Sequence, residues 1–397
     1  MRGAIRHGSG GVSPELGCLL LLARGDLTTE EQGSARQLLA QPLAWRVIAR
    51  SAHEHGVFPT VARNLRRLGW PHVPEAIRNE LEATERLNAV RNRLLARGLV
   101  RILGRFAHAE IPVIPLKGVA LAESLYGDAS LRVCSDLDIL VPEHAVGRAV
   151  ELLQTDGFRG SDRYVAEATE IDLLLRSNME YCLVSPPASF HYVLELHWDI
   201  AWRWRADSDM LDHLWTDARP GPVLGADAWV LSPEWELLYL ALHAARHRWS
   251  ALKWLVDIHE ICVRGSIDWA GVEDRAQRFG LERALHLTLG ACRTLLGTPL
   301  PPELERHAPP RRLKVLRAAP VTVGGWLEAL SAVRLFSRPV DKLRYLGRLL
   351  LRPTLAEWSV VRLPSPLRFL YYGLRPLRLG LASGRAMVRA GLGRFHL

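Results

Sequence analysis

The chain has 397 residues, 48% hydrophobic and 23% charged, with a formal net charge of +9. This is the length of two or three globular domains and the composition of a folded protein rather than a disordered or fibrous one. The basic balance points toward phosphates, nucleic acid or an anionic membrane surface and says nothing about the fold. Five cysteines (Cys18, Cys134, Cys182, Cys262 and Cys292) are scattered without a CxxC pair, which excludes a zinc ribbon or disulfide framework and fits a reducing cytoplasm.

Residues 1–10 are Gly-rich and basic and read as a frayed end. The apolar run Leu19–Ala23 follows a helix start at Ser13-Pro14-Glu15 and is cut short by Arg24, so it does not read as a signal peptide. No apolar stretch has transmembrane length. From Pro14 to about Arg105 the pattern is helical. Thr28-Thr29 before Glu30-Glu31 supplies an N-cap, and Pro74–Leu103 carries Ile77, Leu81, Leu87, Val90, Leu94, Leu95, Leu99 and Ile102 at mostly helical spacing.

The period changes at Ile111. Ile111–Leu116 reads as a strand running into a Lys117-Gly118 turn, Val119–Tyr126 as a helix, and Leu137–Val141 as a second strand. Glu143–Gly157 reads as a helix with Gly157 in the C′ place. Glu180–Val184 and Tyr192–Ile200, separated by Pro186-Pro187, read as antiparallel neighbours. Pro233 to about Leu296 is helical again, and Pro- and Arg-rich sequence follows Pro299. The expected fold class is α/β (α+β): a small mixed sheet with helical N- and C-terminal regions. The expected domains are residues 1–104 (helical), 105–205 (the sheet core), 206–300 (helical) and 301–397 (a basic Arg/Leu/Pro-rich tail).

Asp136 and Asp138 stand two apart on a strand and therefore share a face. Two carboxylates so placed repel unless a cation lies between them, and hard oxygen ligands suit Mg²⁺. The strand Tyr192–Ile200 puts Val193, Glu195, His197 and Asp199 on one face, so Glu195 is a third carboxylate for the same site, with Asp199 as the fallback. Such a trio can clamp two metal ions about 3.5–4 Å apart for phosphoryl displacement. The helix after Lys117-Gly118 aims its first amides at a phosphate, and Gly lets the backbone come close.

These residues resemble the DNA polymerase β-type nucleotidyltransferase superfamily, and within it the bacterial "nucleotidyltransferase family" proteins. The resemblance rests on Leu116-Lys117-Gly118, Leu125-Tyr126, Arg132, Asp136-Leu137-Asp138-Ile139-Leu140-Val141 and Leu194-Glu195-Leu196-His197-Trp198, then His243, His247 and Leu252-Lys253-Trp254-Leu255-Val256-Asp257-Ile258. It spans roughly residues 30–300 and implies a polymerase β-like core. It further implies that Asp136 and Asp138 bind Mg²⁺ (or Mn²⁺) and the NTP, and that Glu195 holds the catalytic metal and helps deprotonate the attacking hydroxyl. Lys117-Gly118 would occupy the turn where the superfamily has Gly-Ser or Gly-Gly, and the third carboxylate is Glu rather than the commoner Asp. The implied reaction is transfer of a nucleoside monophosphate to an acceptor hydroxyl, on a small molecule, a protein or RNA.

The other candidates carry alternatives. Lys117 binds phosphate or solvates the turn; Arg132 contacts a triphosphate or makes a surface ion pair; His197 lines the site or is a hydrogen-bonded core histidine. His243 and His247 have the i, i+4 spacing of zinc ligands but lack the HExxH glutamate. With Lys253 and Asp257 they form a polar face toward the nucleotide or acceptor, or they pack structurally. Trp198, Trp202, Trp204, Trp249 and Trp254 read as packing residues. The tail carries Arg344, Arg348, Arg352, Arg368, Arg375, Arg378, Arg385 and Arg389 among Leu, Tyr and Phe. It is a solvated face, a peripheral contact with an anionic membrane, or a nucleic-acid contact. A non-catalytic nucleotide-binding or partner-docking protein of the same fold is the alternative to an enzyme.

Overall fold

The computed structural model describes residues 13–161, 171, 174–175, 179–186, 190–201, 209–305 and 333–392. The Gly-rich start at 1–10 and the tryptophans Trp202 and Trp204 lie outside these. In chain order, helices α1 (Pro14–Leu22), α2 (Thr29–Leu39), α3 (Trp45–Glu54), α4 (Phe58–Leu68) and α5 (Glu75–His108) lead into β1 (Ile114–Pro115), α6 (Val119–Tyr126) and β2 (Asp136–Leu140). Then come α7 (Val146–Thr155), β3 (Arg159–Gly160), β4 (Glu180–Val184) and β5 (Val193–His197). Helix α8 (Met210–Asp217), the strands β6 (Arg219–Val223) and β7 (Ala226–Val230), and helices α9 (Pro233–Arg246), α10 (Leu252–Arg264), α11 (Trp269–Phe279), α12 (Glu282–Leu296) and α13 (Pro302–Glu305) follow. The last described elements are α14 (Pro339–Leu351), α15 (Leu355–Val360) and α16 (Tyr371–Leu392). The fold class is the expected mixture of a small mixed sheet with helices before and after it.

The chain forms two compact units, Met1–Ile139 with Asp209–Thr322, and Leu140–Ser208 with Val323–Leu397. In the first unit the helix starts follow from their caps. The Ser13 hydroxyl accepts from the Leu16 amide at 3.3 Å, and Thr28 and Glu31 close a reciprocal capping box on α2. The 34-residue α5 starts after Pro74 and buries Ile77, Leu81, Leu95, Leu99, Ile102 and Phe106. Its middle departs from the expected apolar stripe. Leu87 and Val90 are solvent-exposed, and Asn88 and Asn92 face inward instead. The reason is polar: their amides donate to backbone carbonyls of residues 129–132.

The strand expected at Ile111–Leu116 narrows to Ile114–Pro115, because Pro112 and Pro115 have no N–H for a ladder. Leu116 N–H still donates to Asp138 C=O at 3.0 Å, which lays β1 beside β2. The hairpin β6–β7 has no counterpart in the sequence reading, since Arg-Pro-Gly-Pro-Val carries turn residues rather than strand residues. It is closed by Leu224-Gly225, both at positive φ (51° and 81°), the conformation that two-residue hairpin turns require. Trp229 N–H on β7 donates to Val113 C=O at 2.9 Å. Helices α9, α10 and α12 pack on one another, with Ser232 capping α9 and Trp235 fully buried.

In the second unit β5, β4 and β3 run antiparallel in that order, with Cys182 opposite Glu195 and Glu180 opposite His197. Leu183, Leu194, Leu196 and Tyr181 are buried on the other face. Val141, just past β2, donates its N–H to His197 C=O at 2.9 Å. Residues Glu143–Ala145 form a 3₁₀ turn before α7, and Gly157 follows its C-cap at φ 90°, as the sequence predicts. No described helix is long and apolar enough to cross a membrane.

Thr28→Ala removes one half of the α2 capping box. Urea denaturation is expected to show a loss of about 1 kcal/mol with no change in the slope of the transition.

Candidate functional site

The turn after β1 depends on Gly118, whose backbone (φ 72°, ψ −134°) lies in a region closed to residues with a Cβ. It starts α6, which buries Val119, Leu121, Ala122 and Leu125 and stops at Gly127 in the left-handed C-cap conformation. The preceding residue, Lys117, is not solvated. Its side chain is 10% exposed and its Nζ sits 2.6 Å from Oδ1 of the buried Asp138. Asp136 shares the strand with Asp138 and is partly exposed, while Leu137 and Ile139 on the opposite face are fully buried.

The loop leading into β2 is held by side chains from α5 and α10. Asn88 donates to the carbonyls of Ser130 (2.7 Å) and Arg132 (3.3 Å), and Asn92 to those of Ala129 (2.6 Å) and Arg132 (2.7 Å). Arg132 is buried rather than on the surface. Its Nε is 2.9 Å from Asp257 Oδ2, and Tyr126 donates its hydroxyl to Asp257 Oδ1 at 3.0 Å. Burial disfavours the Arg132 cation, but Asp257 more than compensates and raises its pKa. Tyr126 is pushed well above its ordinary value by burial and then by Asp257.

Lys253 on α10 donates from Nζ to Val133 C=O at 2.9 Å and runs its stem past Gly56, where a Cβ would meet it at 2.9 Å. Burial, followed by the Arg132 charge, pushes its pKa down to about 8. Glu236 on α9 is pushed up to about 7 by burial and by Asp257.

The histidines of α9 pack as rings. His243 and His247 lie 4.7 Å apart, and each ring is 5.2 Å from Trp254. Among the described residues no third donor completes a zinc site with this pair. Burial lowers His243 well below its ordinary value, and the Lys117 charge adds to this. His247 is pushed down to about 4 by burial, then by Arg246 and Lys117.

In the second unit Glu195 and His197 share one face of β5, as their spacing requires. His197 Nε2 is 3.6 Å from Glu195 Oε2, and its Nδ1 is 3.3 Å from Glu180 Oε2 on β4. Glu180 escaped the sequence reading, because its relation to His197 depends on the β4–β5 register. Asp199 is buried past the end of the strand, where its Oδ1 accepts from the Ala201 amide at 2.9 Å, a local turn bond. Asn88 and Asn92 were also missed, although two asparagines at i, i+4 inside an apolar helical stripe are a signal that polar partners lie opposite.

The strand–turn–helix and the acidic pair on the next strand lie within the part of the chain that matches a known family. The chain belongs to the family described as "Uncharacterised nucleotidyltransferase", whose model matches residues 41–297. No curated protein matches the chain. Among solved structures it is similar to an antigenic nucleotidyltransferase-like protein from Paracoccidioides brasiliensis. That match has 17% identity and a TM-score of 0.32, and covers 56% of this chain and 97% of the other.

Two outcomes follow. Asp257→Asn leaves the Arg132 guanidinium buried without its counter-charge, and urea denaturation is expected to show a loss of about 3–5 kcal/mol. For His247 the unfolded value is 6.5 and the folded one about 4, so between these the unfolded chain binds the proton that the folded chain lacks. Its contribution makes stability rise with pH across that window. The thermal midpoint of His247→Gln is therefore expected to fall less than that of the native chain between pH 6.5 and pH 4.

Proposed function

We propose that this protein is a metal-dependent nucleotidyltransferase that moves a nucleoside monophosphate from an NTP to an acceptor hydroxyl and releases pyrophosphate. The observation that carries the reading is the buried Asp138 carboxylate, already matched to a cation at the Gly118 turn. The donor set fits a divalent ion. Asp136, Asp138 and Glu195 offer hard carboxylate oxygens and His197 an imidazole, donor types that a divalent ion accepts. Bound there, Mg²⁺ or Mn²⁺ supplies charge neutralisation and polarisation of the phosphate oxygens.

The chain's own residues do the rest. The first amides of α6 have no helical acceptor and bind phosphate oxygens, which the missing Cβ of Gly118 lets approach. Lys117 exchanges its contact with Asp138 for the triphosphate. Glu195 takes the proton of the attacking hydroxyl, with His197 beside it to hold the carboxylate's orientation. Arg132 and Lys253, read from the sequence as nucleotide contacts, act in this reading on the loop that precedes Asp136, through Asp257 and the Val133 carbonyl.

A second reading is favoured by the same ion pair. A lysine that satisfies Asp138 suits a protein that binds nucleotide and passes a signal without transfer. The two separate in one assay, incubation of the purified chain with Mn²⁺ or Mg²⁺, radiolabelled NTPs and host lysate fractions. Labelled acceptor supports transfer; metal-dependent NTP binding without label supports the non-catalytic form. Asp136→Asn with Asp138→Asn is expected to lower NTP-derived labelling by at least about 100-fold. Labelling that survives the double substitution removes the proposed site.

A further inference from the structure

The last described stretch, residues 333–392, is rich in arginine, and its only acids are Asp341 and Glu357. Both acids are turned inward, 4% and 2% exposed. Glu357 is consumed by Arg375, Arg378 and the cap of α15 at Thr354. Among the residues whose side chains are described, the charged groups exposed on this stretch are therefore cations, including Arg344, Arg362 and Arg368.

Helices α14 and α16 pack together, joined by the Arg375 Nε–H donating to Leu349 C=O, and each buries one stripe at i, i+4, i+8. Asp341, Tyr345 and Leu349 form it on α14, and Tyr371, Arg375 and Leu379 on α16. The opposite stripes are apolar too, yet open to solvent. Leu343 is 70% exposed, Leu377 67% and Leu381 69%, and Phe369, just before α16, is 64% exposed. A helix that is apolar on its solvent side has an unpartnered face, and a cluster of large exposed apolar side chains marks an interaction surface.

We propose that the outer face of α16 lies on an anionic lipid bilayer, with Phe369, Leu377 and Leu381 entering the headgroup boundary and the arginines pairing with lipid phosphates. Its chemistry selects the partner. A second copy would bring the same positive charge and be repelled. Nucleic acid would use the arginines but leave the leucines in water. A bilayer with acidic headgroups satisfies both sets, and arginine stems can bury along it while their heads stay at the phosphates. None of the described helices is long and apolar enough to cross a membrane, so the proposed contact is peripheral.

The test is sedimentation of the full chain with phosphatidylcholine vesicles, with and without phosphatidylglycerol. Binding to the anionic vesicles alone is expected, weakened at least tenfold by Leu377→Gln with Leu381→Gln while circular dichroism and melting stay unchanged. Phe369→Gln probes the same face from just before α16, should the double variant fail to fold. Arg362→Gln with Arg368→Gln is expected to weaken binding and reduce its salt dependence. The proposal is overturned by no sedimentation, by equal binding to neutral vesicles, or by anionic-vesicle binding that both the double leucine variant and Phe369→Gln leave intact. Sedimentation velocity showing a dimer that Leu377→Gln with Leu381→Gln dissociates, with no vesicle binding, would assign the face to a second copy instead.

Discussion

The buried ion pair between Arg132 and Asp257 is the constraint around which the first unit is arranged. Removing two charges from water is expensive, and the pair is tolerable only because its remaining hydrogen-bonding capacity is met. Tyr126, at the end of α6, takes the second Asp257 oxygen, and Asn88 and Asn92 hold the Arg132 backbone from α5. Three helices thereby fix one loop, four residues before Asp136. Without that anchoring the loop would be an ordinary surface connection, and the start of β2 would have no fixed direction.

The second organising term is the charge balance near Asp138. Its carboxylate is buried against Lys117, so a negative and a positive group neutralise each other at a place largely closed to water. His243 and His247 lie within the field of Lys117 and stay unprotonated, stacked on Trp254. Further positive charge there would compete with the lysine. The imidazoles thus form a neutral wall, and the cation beside Asp138 is the one on Lys117.

Much of this was legible in the residues. Gly118 and Gly127 bracket a helix that runs from Val119 to Tyr126 because glycine alone suits the first conformation and favours the second. The β4–β5 pairing followed from two alternating runs separated by Pro186-Pro187. What stayed hidden depends on distance in space. The hydrophobic spacing of α5 suggested that Leu87 and Val90 face inward, and only the loop at 129–132 explains why asparagines do. Arg132 looked like a surface or substrate-facing cation, since its partner lies 125 residues away. The β6–β7 hairpin was concealed by prolines that a two-stranded edge ribbon tolerates. The tail's arginines were visible from the start, but the inward turn of both acids was not.

Cys134 sits between these parts, buried beside Arg132, its thiol near the guanidinium at 3.8 Å. Burial raises its pKa, so in the closed loop it is a poor nucleophile toward alkylating reagents. Its labelling waits for the loop to open, and its reaction rate becomes a clock for that local event. A single native sulfur thus reports, without any engineered probe, how often the segment ahead of Asp136 leaves its place.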